Sequence, residues 1–170
     1  MQEGERKAVE EMLKVESQFK GGASWFYWIA GLSIVNSAAL LSGSSWGFIV
    51  GLGITQVIDG LGLVIAEHIG AAGKATAFVL DIIVAGIFVL FGVFARKRYN
   101  WAFIVGMVLY GLDGLIFLLA GDVLSIAFHV FALYCIYNGL KAVKRIAEME
   151  RAVQMTGAQP GSVAGGEGMG

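Results

Sequence analysis

Proline and cysteine are nearly missing: the 170 residues contain one of each, Pro160 and Cys135. A single cysteine can close no disulfide within the chain and build no cysteine-based zinc site. Cys135 lies inside an apolar run and reads as a small buried apolar side chain. The proline falls in a Gly-rich stretch, Thr156 to Gly170, that reads as a disordered tail. Charge is also scarce. Asp, Glu, Lys and Arg make up 15% of the chain, against roughly 25% in soluble domains. The net charge is -1, and the 12 Lys and Arg sit near the ends and in two loops, which leaves no footprint for nucleic acid.

Other absences narrow the function. There is no G-x-x-x-x-G-K-S/T loop, no H-E-x-x-H helix and no G-x-S-x-G elbow. The glycines form no dinucleotide fingerprint, because they fall within apolar runs rather than after a strand. These absences leave no catalytic residue, metal site or cofactor to assign. No alternating pattern of the kind that closes a barrel appears.

What is present is apolar surface. Hydrophobic residues reach 57%, far more than a soluble core needs, and they gather in five segments: 23–41, 46–66, 75–95, 101–120 and 123–140. Each is close to the roughly 20 residues that cross a bilayer as helix, and backbone amides in lipid must be satisfied within the segment. The expected fold is therefore all-α, a polytopic transmembrane helical bundle of five spans, multi-pass in the inner or plasma membrane, with the lipid bilayer as first partner. Trp25, Tyr27, Trp28, Trp46, Tyr99 and Trp101 cluster at segment ends, as aromatic belts do. Residues 1–22 read as an amphipathic N-terminal helix carrying Val9, Met12, Leu13 and Phe19, too acidic for a signal peptide. Residues 141–155 read as an amphipathic extension of the last span, and 156–170 as the tail.

Trp46-Gly-Phe-Ile-Val-Gly51 recurs as Trp101-Ala-Phe-Ile-Val-Gly106, 55 residues later, and with one residue deleted Asp59-Gly-Leu falls on Asp113-Gly-Leu. This suggests a tandem two-helix-hairpin repeat, with segments one and two repeated as three and four. Parallel repeats would place Asp59 and Asp113 at one depth. The pairs Gly47/Gly51 and Ala102/Gly106 put small residues four apart, where helix backbones approach closely. The neighbour so approached is either in the same chain or in a second copy, as in a homo-oligomer.

Basic residues set orientation. Arg96, Lys97 and Arg98 share a side with Lys141, Lys144, Arg145 and Arg151, and five spans then leave Arg6, Lys7, Lys14, Lys20 and Lys74 opposite. That narrow majority favours the N-terminus outside and the C-terminus in the cytoplasm.

Each span from the second onward carries one group costly in hydrocarbon: Asp59, Asp81, Asp113 and His129. Asp113 stands eight residues before Gly121 and His129 seven after Asp122. At 1.5 Å rise both sit roughly 10–12 Å from that turn, so they should meet. The same count from the Glu67–Lys74 loop brings Asp59 and Asp81 to a similar level. Gln56 and Tyr110, each three residues before an Asp, and Asn36 in the first span are supporting polar groups. Three readings compete. A structural or assembly module held by interhelical hydrogen bonds comes first. A proton- or cation-coupled transporter or channel using the Asp/His layer comes second. A membrane enzyme comes third, because no nucleophile or metal stands beside the carboxylates.

Overall fold

The computed structural model describes residues 3–43 and 51–157. Among them the chain forms five helices: α1 (Glu3–Leu41), α2 (Gly53–Ile69), α3 (Ala71–Arg96), α4 (Asn100–Ala120) and α5 (Val123–Gly157). Four of these, α1, α3, α4 and α5, are long and apolar enough to cross a membrane. Burial is distributed as lipid solvent requires. Val79, Ile83, Leu90, Leu112, Leu119 and Val130 are exposed, whereas Ser33, Asn36, Asp59, Asp81, Asp113 and His129 are buried. A protein in water arranges these classes the other way round.

Among the described residues the expected fifth span is not confirmed. Segment two appears as the 17-residue α2, which starts at Gly53, and Trp46, Gly47 and the rest of 44–50 lie outside the described residues. The apolar run 46–66 is long enough to cross, but length alone does not say where a helix begins, and Gly53 is where its first amides find acceptors. The hairpin repeat finds no support either. Asp59 and Asp113, which it would make equivalents, occupy different surroundings. Residues 158–170 of the expected tail are also outside the described part.

α1 is one helix of 39 residues, fusing the amphipathic N-terminal stretch to the first apolar segment. Gly21 and Gly22 do not break it, because Gly22 lies where α1 crosses α5. A Cβ on Gly139 would come 2.7 Å from the Gly22 Cα, so both crossing points must be bare. Below this crossing the two helices stay paired. Val15 and Phe19 are buried in one cluster with Ala142, Val143 and Ile146, and Arg145 bonds Glu11. Arg98, from the α3–α4 turn, bonds Glu150 at 2.7 Å and lies over Phe19.

The starts of α1 and α4 and the ends of α3 and α5 thus share one end of the bundle. The two terminal segments pack against each other at that end. At the opposite end Lys74 Nζ donates to the Leu41 carbonyl at 3.3 Å, Gly70 (φ 65) turns α2 into α3, and Gly121 (φ 72) ends α4. Positive φ at both turns suits glycine.

Candidate functional site

The buried ionisable groups form two pairs. The first is Asp113 with His129, and its geometry follows from how α2 begins. The first amides of any helix lack intrahelical partners, and those of α2 are buried. Leu52 and Gly53 are both inaccessible to solvent, and neither supplies a capping side chain. Neighbouring helices supply the acceptors. Leu52 N donates to Ser33 Oγ of α1 at 2.8 Å. Gly53 N donates to Asp113 Oδ2 of α4 at 2.7 Å, and Ile54 N to Asp113 Oδ1 at 2.9 Å. One carboxylate therefore caps two consecutive amides, at the positive end of the helix dipole. Gly53 is bare for a steric reason, since a Cβ there would lie 2.9 Å from the Phe117 ring.

His129 completes this cluster from α5. Its Nε2 is 3.0 Å from Asp113 Oδ2 and its Nδ1 is 2.9 Å from the Ser125 carbonyl oxygen. Each ring nitrogen thus has one oxygen within hydrogen-bond distance. Tyr110 stacks on the imidazole at a centroid distance of 4.2 Å and 14° between planes, and Phe117 lies 5.1 Å away on a tilt. Just outside this cluster Asp122 caps α5, accepting the Ser125 hydroxyl at 2.6 Å and the amides of Leu124 and Ser125. The Ser125 hydroxyl, then its amide, hold the Asp122 carboxyl below the usual carboxylate range.

The second pair has the opposite character. Asp59 on α2 and Asp81 on α3 are both 0% exposed. They face one another, with Ser37 of α1 beside Asp81. The Ser37 hydroxyl is the donor nearest the pair, no well-formed hydrogen bond from the described residues ends on any of the four carboxylate oxygens, and Asn36 Oδ1 is also buried without a partner. α2 comes this close to α3 because the residues between them are small. A Cβ on Gly73 would lie 2.7 Å from the Ala66 amide nitrogen, and Gly62 meets Ala77.

Asp113 and His129, expected to meet, lie 3.0 Å apart, and the four groups expected in one layer fall into two pairs. Of the supporting residues, Tyr110 joins the first pair by ring stacking while its hydroxyl has no partner among the described residues. Asn36 and Ser37 are buried neighbours on α1, and Gln56 is half-buried on α2. Gly51 packs on Ser33, and Gly106 makes room for the Phe26 ring. Ala102 is fully buried. Gly47 lies outside the described residues. The close backbone approaches are at Gly22/Gly139 and Gly62/Gly73 instead. Ser33 and Ser37 also escape a reading of the sequence, because serines are common in apolar helices; Ser33 accepts from the Leu52 amide and Ser37 stands beside Asp81.

No family model, curated protein or solved structure matches the chain. Chemistry at the pairs must therefore carry the functional reading. Among the described residues no three or more His, Cys, Asp and Glu side chains gather as a metal-binding group. The donors around Asp59 and Asp81 are all oxygens, which suit a proton or a hard cation.

Proposed function

We propose that the chain is a small proton- or cation-coupled membrane transporter or channel, with the ion held between Asp59 and Asp81. One observation carries this reading: two fully buried carboxylates face each other, with one hydroxyl, that of Ser37, beside them. Two such groups away from water cannot both ionise cheaply, and a shared proton or a bound cation relieves the repulsion. Packing alone accounts for them poorly, since one hydroxyl, that of Ser37, stands beside two buried carboxyl groups. The Asp113–His129 pair, by contrast, has its donors and acceptors matched and serves the architecture.

The test uses purified protein in proteoliposomes with an internal pH dye and imposed proton, sodium or potassium gradients. Wild type should carry a flux above that of empty vesicles. Asp59→Asn and Asp81→Asn should each bring it to background while eluting as folded protein in detergent. A wild-type flux equal to that of empty vesicles under all three gradients would sink the reading.

Four crossings with both termini at one end also suggest an orientation. Of the 12 Lys and Arg, all but Lys74 belong to the end that holds the termini and the Arg96–Arg98 turn. By the positive-inside rule that end is cytoplasmic. Asp59 and Asp81 then lie nearer the opposite face, Asp81 being seven residues past Lys74, or about 10 Å of helix.

A further inference from the structure

We infer that α2 is a re-entrant helix, about 25 Å long and running obliquely, that begins inside the membrane and leaves by the side it came from, and that Asp113, oriented by His129, is the positioning residue that sets Asp59 against Asp81. The level of its first turn supports this. Ser33, which caps Leu52, stands eight residues before the end of α1, and Asp113 stands eight before the Gly121 turn. Each separation is about 12 Å of helix rise, in a bundle where the 21-residue α4 is about 31 Å long. The far end of α2 meets α3 at Gly70, beside Leu41 and Lys74. Leu41, where α1 ends, and Ile69, where α2 ends, are thus at one end of the bundle, and Gly53 is inside it.

A helix that starts inside hydrocarbon exposes its first amides where no water can reach them, and each unmatched group is costly. Here three consecutive amides are matched by Ser33 and Asp113. Asp113 is held in place by His129, itself fixed between Tyr110 and Phe117 and bonded to the Ser125 carbonyl. Asp59 lies six residues beyond Gly53, less than two turns along the same helix. Any rotation or withdrawal of the α2 start therefore moves Asp59 off Asp81. The carboxylate on α4 acts on the pair only through the backbone of α2, so it positions the ion site without touching the ion.

The role assigned to Asp59 and Asp81 rests on the transport reading, whereas the position of α2 can be measured without any flux. In a Cys135→Ser background, single cysteines at Thr55 on α2 and at Ala95 near the far end of α3, both buried, report local water access to a membrane-impermeant maleimide. With Asp113 intact both should label slowly. Asp113→Asn keeps the shape but loses the charge and one acceptor, and should raise labelling at position 55 about tenfold or more, as expected when a charge-assisted bond is weakened, with position 95 unchanged. Asp113→Glu, which keeps two acceptor oxygens, should restore protection at position 55 to within a few-fold of the parent. Unchanged labelling in Asp113→Asn, or an equal rise at both positions, would overturn the inference, the second outcome marking a general loss of fold. A protein that shows the local response but no flux would sink the transport reading alone.

Discussion

His129 and the amide of Gly53 share one oxygen of Asp113, so losing either side chain leaves a buried group unmatched. His129→Ala and Asp113→Ala should each lower unfolding free energy in mixed micelles by about 3–5 kcal/mol, the usual cost of breaking a buried pair. The double variant should cost less than the two together by about 1–3 kcal/mol, and strict additivity would show that the contact carries no coupling. Tyr110 divides into two parts. Its hydroxyl has no partner among the described residues, so Tyr110→Phe should change stability by less than about 1 kcal/mol. Tyr110→Ala removes the ring stacked on His129 and should cost about 3–5 kcal/mol. Asp122 gives a pH dependence of known sign. Its folded carboxyl titrates below the unfolded one, so its contribution is fully present above the unfolded value, near 3.9, and is lost as pH falls through the folded value. Asp122→Ala should therefore narrow the stability difference between pH 6 and pH 3 in a thermal melt. At this scale the sequence was informative, because 1.5 Å of rise per residue fixes the level of Asp113 and His129 relative to one short turn. That Asp113 faces the amides of Gly53 and Ile54 was not legible, since those partners are 60 and 59 residues away and backbone amides leave no mark in a sequence.

Among the helices, α2 and α1 depart furthest from what hydropathy suggests, and for related reasons. Hydropathy measures how apolar a segment is, so 46–66 reads as a crossing. The start of α2 is instead decided by where Ser33 and Asp113 offer acceptors. Glycines mislead in a similar way: Gly21 and Gly22 look like a break between two helices, yet one is bare so that α5 can cross and the other faces open space. This contrast is testable. Gly22→Ala and Gly139→Ala place a methyl group against backbone and should destabilise by about 1–3 kcal/mol, read as a lower melting temperature in detergent. Gly21→Ala and Gly86→Ala meet nothing within 4 Å and should be neutral or stabilising by up to about 1 kcal/mol. If both sets behave alike, close approach is not what these glycines serve. Gly62→Ala belongs with the first set, and it adds a diagnostic, because pushing α2 from α3 also separates Asp59 from Asp81.

For the whole molecule, four crossing helices with paired terminal segments predict that both termini lie on one side. Cysteines placed near position 7 and position 151 should label from the same face of oriented vesicles, and one at position 74 from the other; opposite labelling of 7 and 151 would rule out an even number of crossings. Charge counting alone could not reach this arrangement, because with five spans the basic residues divided almost evenly, whereas removing one crossing gathers nearly all of them at one end. The capping of α2 also bears on how the chain is made. Its first amides depend on Ser33, already synthesised, and on Asp113, which emerges 60 residues after Gly53. At about 5–20 residues per second the ribosome needs about 3–12 s to supply that carboxylate. If α2 is re-entrant as inferred, it takes its seat only after α4 arrives, and a nascent chain stalled before Asp113 should expose α2 to protease where the finished protein hides it.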